Sequence, residues 1–155
     1  MSRAFVKETD TIAEVPTPER VISSAPNYVT KRGATLIEAE VDRLSQLFDS
    51  ASDADGEALQ PELRYWESRR ATMEIVERDP SEDTVGFGTK VSIERNLQQQ
   101  TIRIVGEDEA DPKNGSIAWT APLARALEDS RPGDIVEFEA AGRIDEIKVL
   151  AVAPI

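Results

Sequence analysis

The residues that could carry chemistry in this chain are carboxylates, because the sequence contains few other reactive groups. Its 155 residues include no histidine and no cysteine. The lack of histidine removes the commonest general base and the commonest transition-metal ligand. The lack of cysteine excludes disulfides, thiolate zinc sites and cysteine nucleophiles. A metal ion bound to this chain would therefore sit on carboxylate oxygens, the ligands that magnesium and calcium prefer.

A first acidic cluster lies in the middle of the N-terminal half. It follows Asp49 and comprises Asp53, Asp55 and Glu57. Small, polar and turn-favouring residues fill the stretch 49–56, which predicts a loop. The alternating acids resemble part of a calcium-binding loop, but they lack its full ligand set and its bidentate glutamate, so we exclude calcium.

A second acidic cluster precedes an Asn-Gly turn. It comprises Glu107, Asp108, Glu109 and Asp111. These acids look like metal ligands, but their position before a turn is more typical of a solvated loop or of a face that meets a basic partner. The formal net charge is -12, from 18 Lys+Arg and 30 Asp+Glu. That charge argues against non-specific DNA binding, and it suits either simple solubility or a basic partner.

The acidic clusters are positioned by elements that the apolar pattern reveals. Thr30 is a good helix N-cap, and a stripe follows it at Ile37, Val41, Leu44 and Phe48. A second stripe consists of Leu59, Leu63, Trp66, Met73 and Val76, with Arg70 at the seam. Pro61 suits only a first helical turn, so we expect this helix to begin near Gln60. Residues 30–78 are predicted to form an antiparallel coiled-coil hairpin, an arm about 30 Å long if each helix has about 20 residues.

The remaining segments complete an α+β fold. Residues 1–29 are polar, contain three prolines and predict a flexible tail. In residues 84–155 the apolar period changes to two, which predicts an antiparallel sheet with one short helix from Pro122 to Leu127. Its last hairpin turns at Ala141-Gly142. The sequence has no membrane-spanning apolar run and no signal-peptide core, so we expect a cytoplasmic protein without a membrane partner.

These segments resemble the bacterial GreA/GreB transcript cleavage factor family. The matching stretches of the C-terminal half are Val85-Gly86-Phe87-Gly88-Thr89-Lys90-Val91, Arg103-Ile104-Val105-Gly106-Glu107-Asp108-Glu109-Ala110-Asp111, Pro122-Leu123-Ala124-Arg125-Ala126-Leu127 and Gly133-Asp134. The start of the arm, Thr30-Lys31-Arg32-Gly33-Ala34, resembles the family's first coiled-coil helix. The likeness covers most of the chain except the tail and the tip of the arm.

The resemblance implies a fold and a function. Family members carry an N-terminal antiparallel coiled coil and an FKBP-like C-terminal domain. That domain docks at the rim of the secondary channel of RNA polymerase, and the coil enters the channel. Two acids at the tip help the polymerase to hold a second magnesium ion and to cleave backtracked RNA. The factor then has no active site, no permanent cofactor and no metal of its own, contacts the RNA 3' end indirectly, and acts as a monomer.

Carried over to this chain, the resemblance indicates two sets of site residues. Asp53, Asp55 and Glu57 would act at the tip. The docking set comprises Glu107, Asp108, Glu109, Asp111, Trp119, Thr120, Ala121 and Pro122. Trp119 is either core or an exposed anchor, and its alternation with Ile117 favours core.

Two departures from the family leave the role of the tip open. The usual Asp-x-x-Glu-Asn pattern is missing, and the arm is several turns shorter than the family's coil. The tip acids therefore either assist cleavage or belong to an arm that only blocks or tunes the channel. Arg64, Arg69 and Arg70 give the second helix a basic side, for which pairing with the acidic first helix is the simplest interpretation. An isomerase or chaperone module is disfavoured by an aromatic content of 5%, and a regulator of another enzyme stays possible as a third hypothesis.

Overall fold

Two helices of equal length form the predicted arm. The structure, a computed structural model, describes residues 18–155. Helix α1 spans Lys31–Ser50 and helix α2 spans Asp53–Thr72, 20 residues each. At 1.5 Å per residue each helix is about 30 Å long, as the two apolar stripes predict. Within the described residues, no helix is long and apolar enough to span a membrane.

The arm is held together by one buried seam. The Thr30 hydroxyl accepts the backbone N–H of Gly33 at 3.0 Å and caps the start of α1. Ile37, Val41 and Leu44 then lie on one face of α1 and are at most 2% exposed. They pack against Tyr65 and Trp66 of α2. The predicted seam is confirmed along this stretch. Phe48, by contrast, is 37% exposed at the tip.

The turn between the helices is shorter than the sequence predicts. Only Ala51 and Ser52 separate α1 from α2, so the predicted loop over 49–56 is wrong. The Ser52 side chain accepts the N–H of Asp55 at 3.3 Å and donates to the Asp55 carboxylate at 2.7 Å. This cap starts α2 at Asp53 instead of Gln60. Pro61 lies inside the helix, where the ring removes one backbone hydrogen bond without ending the helix.

The base of the arm contains a strand pair that the sequence does not reveal. Helix α2 ends at Thr72, and β2 (Glu74–Ile75) pairs in parallel with β1 (Tyr28–Val29). The prediction that the second helix continues to Val76 is therefore wrong. Residues 18–29 lie against the arm, which corrects the predicted tail for that part. Residues 1–17 lie outside the described residues, so the tail prediction stays untested there.

Within residues 18–155 the C-terminal half forms a five-stranded sheet in the order β5-β4-β3-β7-β6. Its strands are β3 (Thr89–Arg95), β4 (Gln98–Val105), β5 (Ser116–Ala118), β6 (Ile135–Ala140) and β7 (Arg143–Pro154). The β4–β5 pair is parallel and the other pairs are antiparallel. The sheet is therefore mixed, not purely antiparallel as predicted.

A single core lies on the inner face of this sheet. Val91, Ile93, Ile147 and Val149 have no exposed surface, and Leu127 of helix α3 (Pro122–Leu127) is equally buried against them. The short helix has the bounds that the sequence predicts. The last hairpin turns at residues 141–142, both with positive φ, and this turn is also confirmed.

Candidate functional site

The arm joins the sheet through a buried ion pair. Asp108 lies in a 3-10 turn (Glu107–Glu109) directly after β4. Its Oδ2 accepts from Nε of Arg69 on α2 at 2.5 Å, and both side chains are only 3% exposed. The Tyr65 hydroxyl donates to Oδ1 of the same carboxylate. Breaking a buried pair on one side leaves an uncompensated charge and is strongly destabilising, so this contact fixes the base of α2 on the sheet.

The same joint changes the acid–base behaviour of Tyr65. Burial is the main cause that raises the pKa of the phenol, because the phenolate would lose its hydration. The hydrogen bond to the Asp108 carboxylate is the second cause, since it favours the protonated phenol, and the pKa is raised to about 12 in total. Tyr65 therefore remains a neutral donor at any physiological pH.

Three acids of the predicted docking set are occupied inside the chain. Glu109 Oε2 accepts from the Thr30 hydroxyl at 2.5 Å, and Glu107 accepts from the Ser23 hydroxyl at 2.9 Å. Together with Asp108 they connect the sheet to the base of the arm, which corrects the prediction of a solvated loop. The Asp111 side chain is exposed, and its carboxylate accepts only from the Asn114 side chain, at 2.6 Å, among the described residues. Among residues 18–155, no group of three or more acids has the geometry of a metal site.

The basic side of α2 also differs from its prediction. Arg69 pairs across the joint with Asp108 and not with α1. Arg70, predicted at the seam, is exposed. The reason is geometric: with Trp66 and Tyr65 buried, the next residue on their shared face is Arg69, four positions after Tyr65.

An N-terminal strap, residues 18–27, covers the outer side of the joint. The Arg20 guanidinium lies 4.0 Å from the centre of the Tyr65 ring and contacts Glu62 at 3.1 Å. Asn27 is buried and donates to the carbonyl of Arg69 at 2.8 Å. Sequence reasoning missed these contacts, because prolines and polar residues are typical of flexible tails and the strap has no apolar period.

The second part of the predicted docking set is one continuous loop. Trp119 packs against the sheet core, and its ring centre lies 5.1 Å from that of Tyr28. The core interpretation of Trp119 is thereby supported. Thr120 and Ala121 are half-buried, while Pro122 is exposed at the start of α3. The loop therefore exposes its edge at Pro122 to solvent, while its tryptophan packs inward.

The tip of the arm brings the other predicted residues together. Asp53, Asp55 and Glu57 are all exposed in the first two turns of α2. Asp53 and Glu57 are four residues apart and share a face of the helix, whereas the Asp55 carboxylate is engaged by Ser52. Acids in a first helical turn also stabilise the helix by about 0.3–1 kcal/mol each through its dipole. Helix capping alone is thus a sufficient structural role for Asp55.

Comparison with known proteins identifies the family to which this chain belongs. Residues 80–154 match the family described as "Transcription elongation factor, GreA/GreB, C-term". A transcription elongation factor GreA from Neisseria meningitidis is 30% identical over 150 residues, which cover 80% of this chain and 95% of that protein. The chain belongs to the GreA/GreB family. The family resemblance and the fold of a helical hairpin followed by a small β domain are confirmed.

Other relatives of this GreA/GreB-family chain match it less completely. A GreA from Maricaulis maris is 39% identical over 75 residues, so the chain spans about half the length of that relative, 48%. Among solved structures, GreA factor homolog 1 (Gfh1) of Thermus thermophilus is 20% identical and covers 83% of this chain and 99% of its own, with a TM-score of 0.41.

Proposed function

We propose that this protein regulates transcript elongation by docking its β domain, residues 84–155, on RNA polymerase and inserting the arm into the secondary channel. The observation that carries the proposal is the buried joint of Arg69, Tyr65 and Asp108. A docked domain can direct a tip about 30 Å away only if the arm is fixed at its base. An ion pair that is 3% exposed on both sides supplies that rigidity.

The loop 119–122 and Asp111 form the docking surface in this proposal. Pro122 is exposed, and so is the Asp111 side chain, whose carboxylate accepts only from the exposed Asn114 within residues 18–155. The other three acids of the predicted docking set lie beneath this surface. The carboxylates of Glu107, Asp108 and Glu109 accept hydrogen bonds from Ser23, Arg69 and Thr30, respectively. Their role is to position the arm relative to the docking loop.

The arm geometry favours tuning of the channel over cleavage. The tip is closed by a two-residue turn, and one of its three acids is used as a helix cap. Cleavage assistance is the second candidate, favoured by the exposure of Asp53 and Glu57 on one helical face. Two carboxylates fill only part of the octahedral shell of magnesium, so the polymerase and water would supply the remaining ligands. The shared ion would activate a water for hydrolysis of the RNA.

Docking is tested by binding to purified RNA polymerase. A Pro122→Arg variant places a bulky cation on the exposed docking edge and should weaken binding about tenfold or more. A Gln99→Arg variant adds the same charge at an exposed position of β4 and should bind like the parent. Equal affinity of all three proteins would contradict the assigned docking surface.

The role of the tip is tested by RNA cleavage in backtracked complexes. Asp53→Ala, Asp55→Ala and Glu57→Ala are combined in one variant. The matched control carries Glu38→Ala, Asp42→Ala and Glu67→Ala, three exposed acids away from the tip. We expect both variants to bind polymerase and to leave the cleavage rate equal to that of the parent. Selective loss of cleavage in the tip variant would establish the second candidate instead.

A further inference from the structure

A groove on the far side of the sheet has no role in the proposed function. It lies on the outer face, at the end of the sheet near the turn at Asn96 and Leu97. Its volume is about 610 Å³. Three aliphatic side chains line it and remain largely in water: Leu97 is 94% exposed, Ile135 63% and Ile144 66%. Three such residues in one concavity form an apolar patch of the kind that marks interaction sites.

The groove is also strongly acidic. Glu94, Glu137 and Glu146 line it, and Lys148 is the one cation among its described lining residues. The remaining acid, Asp145, is neutralised by Arg95, whose Nε lies 2.8 Å from Oδ2. Three glutamates therefore face one lysine around the aliphatic side chains.

The register of β6 and β7 is a second indication that the groove binds a partner, because it places two glutamates opposite each other. Glu137 of β6 lies directly opposite Glu146 of β7. Like charges directly opposite each other on one face of a sheet destabilise it. Cations of a partner would relieve this repulsion. In the free chain the pairing of Glu137 with Glu146 contributes no stability to the fold.

We propose that this acidic groove, lined by Glu94, Leu97, Ile135, Glu137, Ile144 and Glu146, binds an extended cationic segment of a partner protein that carries Lys or Arg and aliphatic side chains in turn on one of its faces, at every second residue. The aliphatic side chains of the segment cover Ile135 and Ile144, and its cations pair with Glu137 and Glu146. A nucleic acid is the wrong occupant, because its phosphates would meet the glutamates. An extended segment suits the site, because every second side chain of such a segment points to the same face, as Ile135 and Glu137 do on β6.

The groove and the docking loop can be occupied at the same time. Val136 and Phe138 of β6 point to the inner face and pack against the core that includes α3. Ile135 and Glu137 alternate with them and therefore point to the opposite face. Binding in the groove is thus independent of the proposed docking on RNA polymerase.

The test uses the full chain and a short fluorescent peptide of the repeat Lys-Ser-Val-Ser, which places lysine and valine on the same face of an extended chain, with binding followed by anisotropy. We expect saturable binding to the parent. The Glu137→Lys, Glu146→Lys variant should bind about tenfold more weakly or worse. A Glu38→Lys, Asp42→Lys variant carries the same charge change on α1 and should stay within about twofold of the parent. Ile144→Ser should weaken binding severalfold, as should replacement of the peptide valines by glycine.

Several outcomes would overturn the proposal. They are absence of peptide binding, an equal loss in the α1 control, or an equal affinity for a single-stranded RNA of mixed sequence. The altered positions are exposed, so circular dichroism should show unchanged folding. Glu137→Gln provides a milder variant if the double substitution unfolds. It should weaken peptide binding and raise the midpoint of thermal unfolding, because it removes the repulsion from Glu146. A lowered midpoint would contradict the repulsion argument.

Discussion

Removal of the Asp108 carboxylate should be among the most damaging single changes in this protein. In Asp108→Ala the Arg69 guanidinium stays buried, at 3% exposure, without its counter-ion. The Tyr65 hydroxyl loses its acceptor at the same time. Breaking a buried pair on one side costs about 3–5 kcal/mol. Domains of this kind are stable by only about 5–15 kcal/mol in total, so the variant should retain a small margin.

Urea unfolding measures this cost. With a slope near 2 kcal/mol per molar urea, a loss of about 4 kcal/mol lowers the midpoint by roughly 2 M. Asp111→Ala is the matched control, because Asp111 lies three residues further along and is exposed, and its carboxylate bonds only with Asn114 among the described residues. The control substitution should lower the free energy of unfolding by less than about 1 kcal/mol.

A double-mutant cycle separates the ion pair from other effects. Arg69→Met removes the buried cation, so Asp108→Ala in that background should cost at least about 2 kcal/mol less than in the parent. If Asp108→Ala costs no more than Asp111→Ala, or if the two changes at 69 and 108 are additive, the reasoning about the buried joint is refuted.

Three further predictions concern the caps and the joint. Ser52→Ala removes the cap of α2 and should cost about 1 kcal/mol in thermal unfolding; an unchanged midpoint would contradict the cap. Between pH 10 and 12 the parent should lose stability, since Tyr65 keeps its proton up to a pKa of about 12 when folded but only to about 10 when unfolded. A Tyr65→Phe protein, compared by denaturation across this range, should lose less, and a parallel decline would be evidence against the shift. Gly106→Ala would place its Cβ 2.5 Å from the carbonyl oxygen of Tyr28 and should cost about 1–3 kcal/mol, whereas a cost within 0.5 kcal/mol would show that the contact is loose.

The regular parts of the fold follow from local pattern, and the rest depends on distant partners. The α1 stripe repeats over several turns and gives both the helix and its buried face. The start of α2 is mispredicted because Pro61 is typical of a first helical turn and so indicates a start near Gln60, whereas the actual cap, Ser52, lies among residues that also favour loops. Strands of two residues, such as Tyr28–Val29, are too short to show a period.

The candidate site divides in the same way. The tip acids are exposed at the end of the arm because the hairpin topology requires it. The role of Asp108 is not visible in the sequence, since Arg69 is 39 residues away and an acid among other acids looks solvated. The docking loop 119–122 is located by resemblance alone, and its exposed edge at Pro122 emerges only from the packing of Trp119 against the core.

The central claim, that the arm enters the secondary channel, is tested most directly by cross-linking from its tip. The chain has no cysteine, so Glu57→Cys provides one unique attachment point for a photoreactive probe. In the complex with RNA polymerase, the account predicts cross-links to the walls of the secondary channel. Failure to form a complex, or cross-links confined to the outer surface of the polymerase, would contradict it.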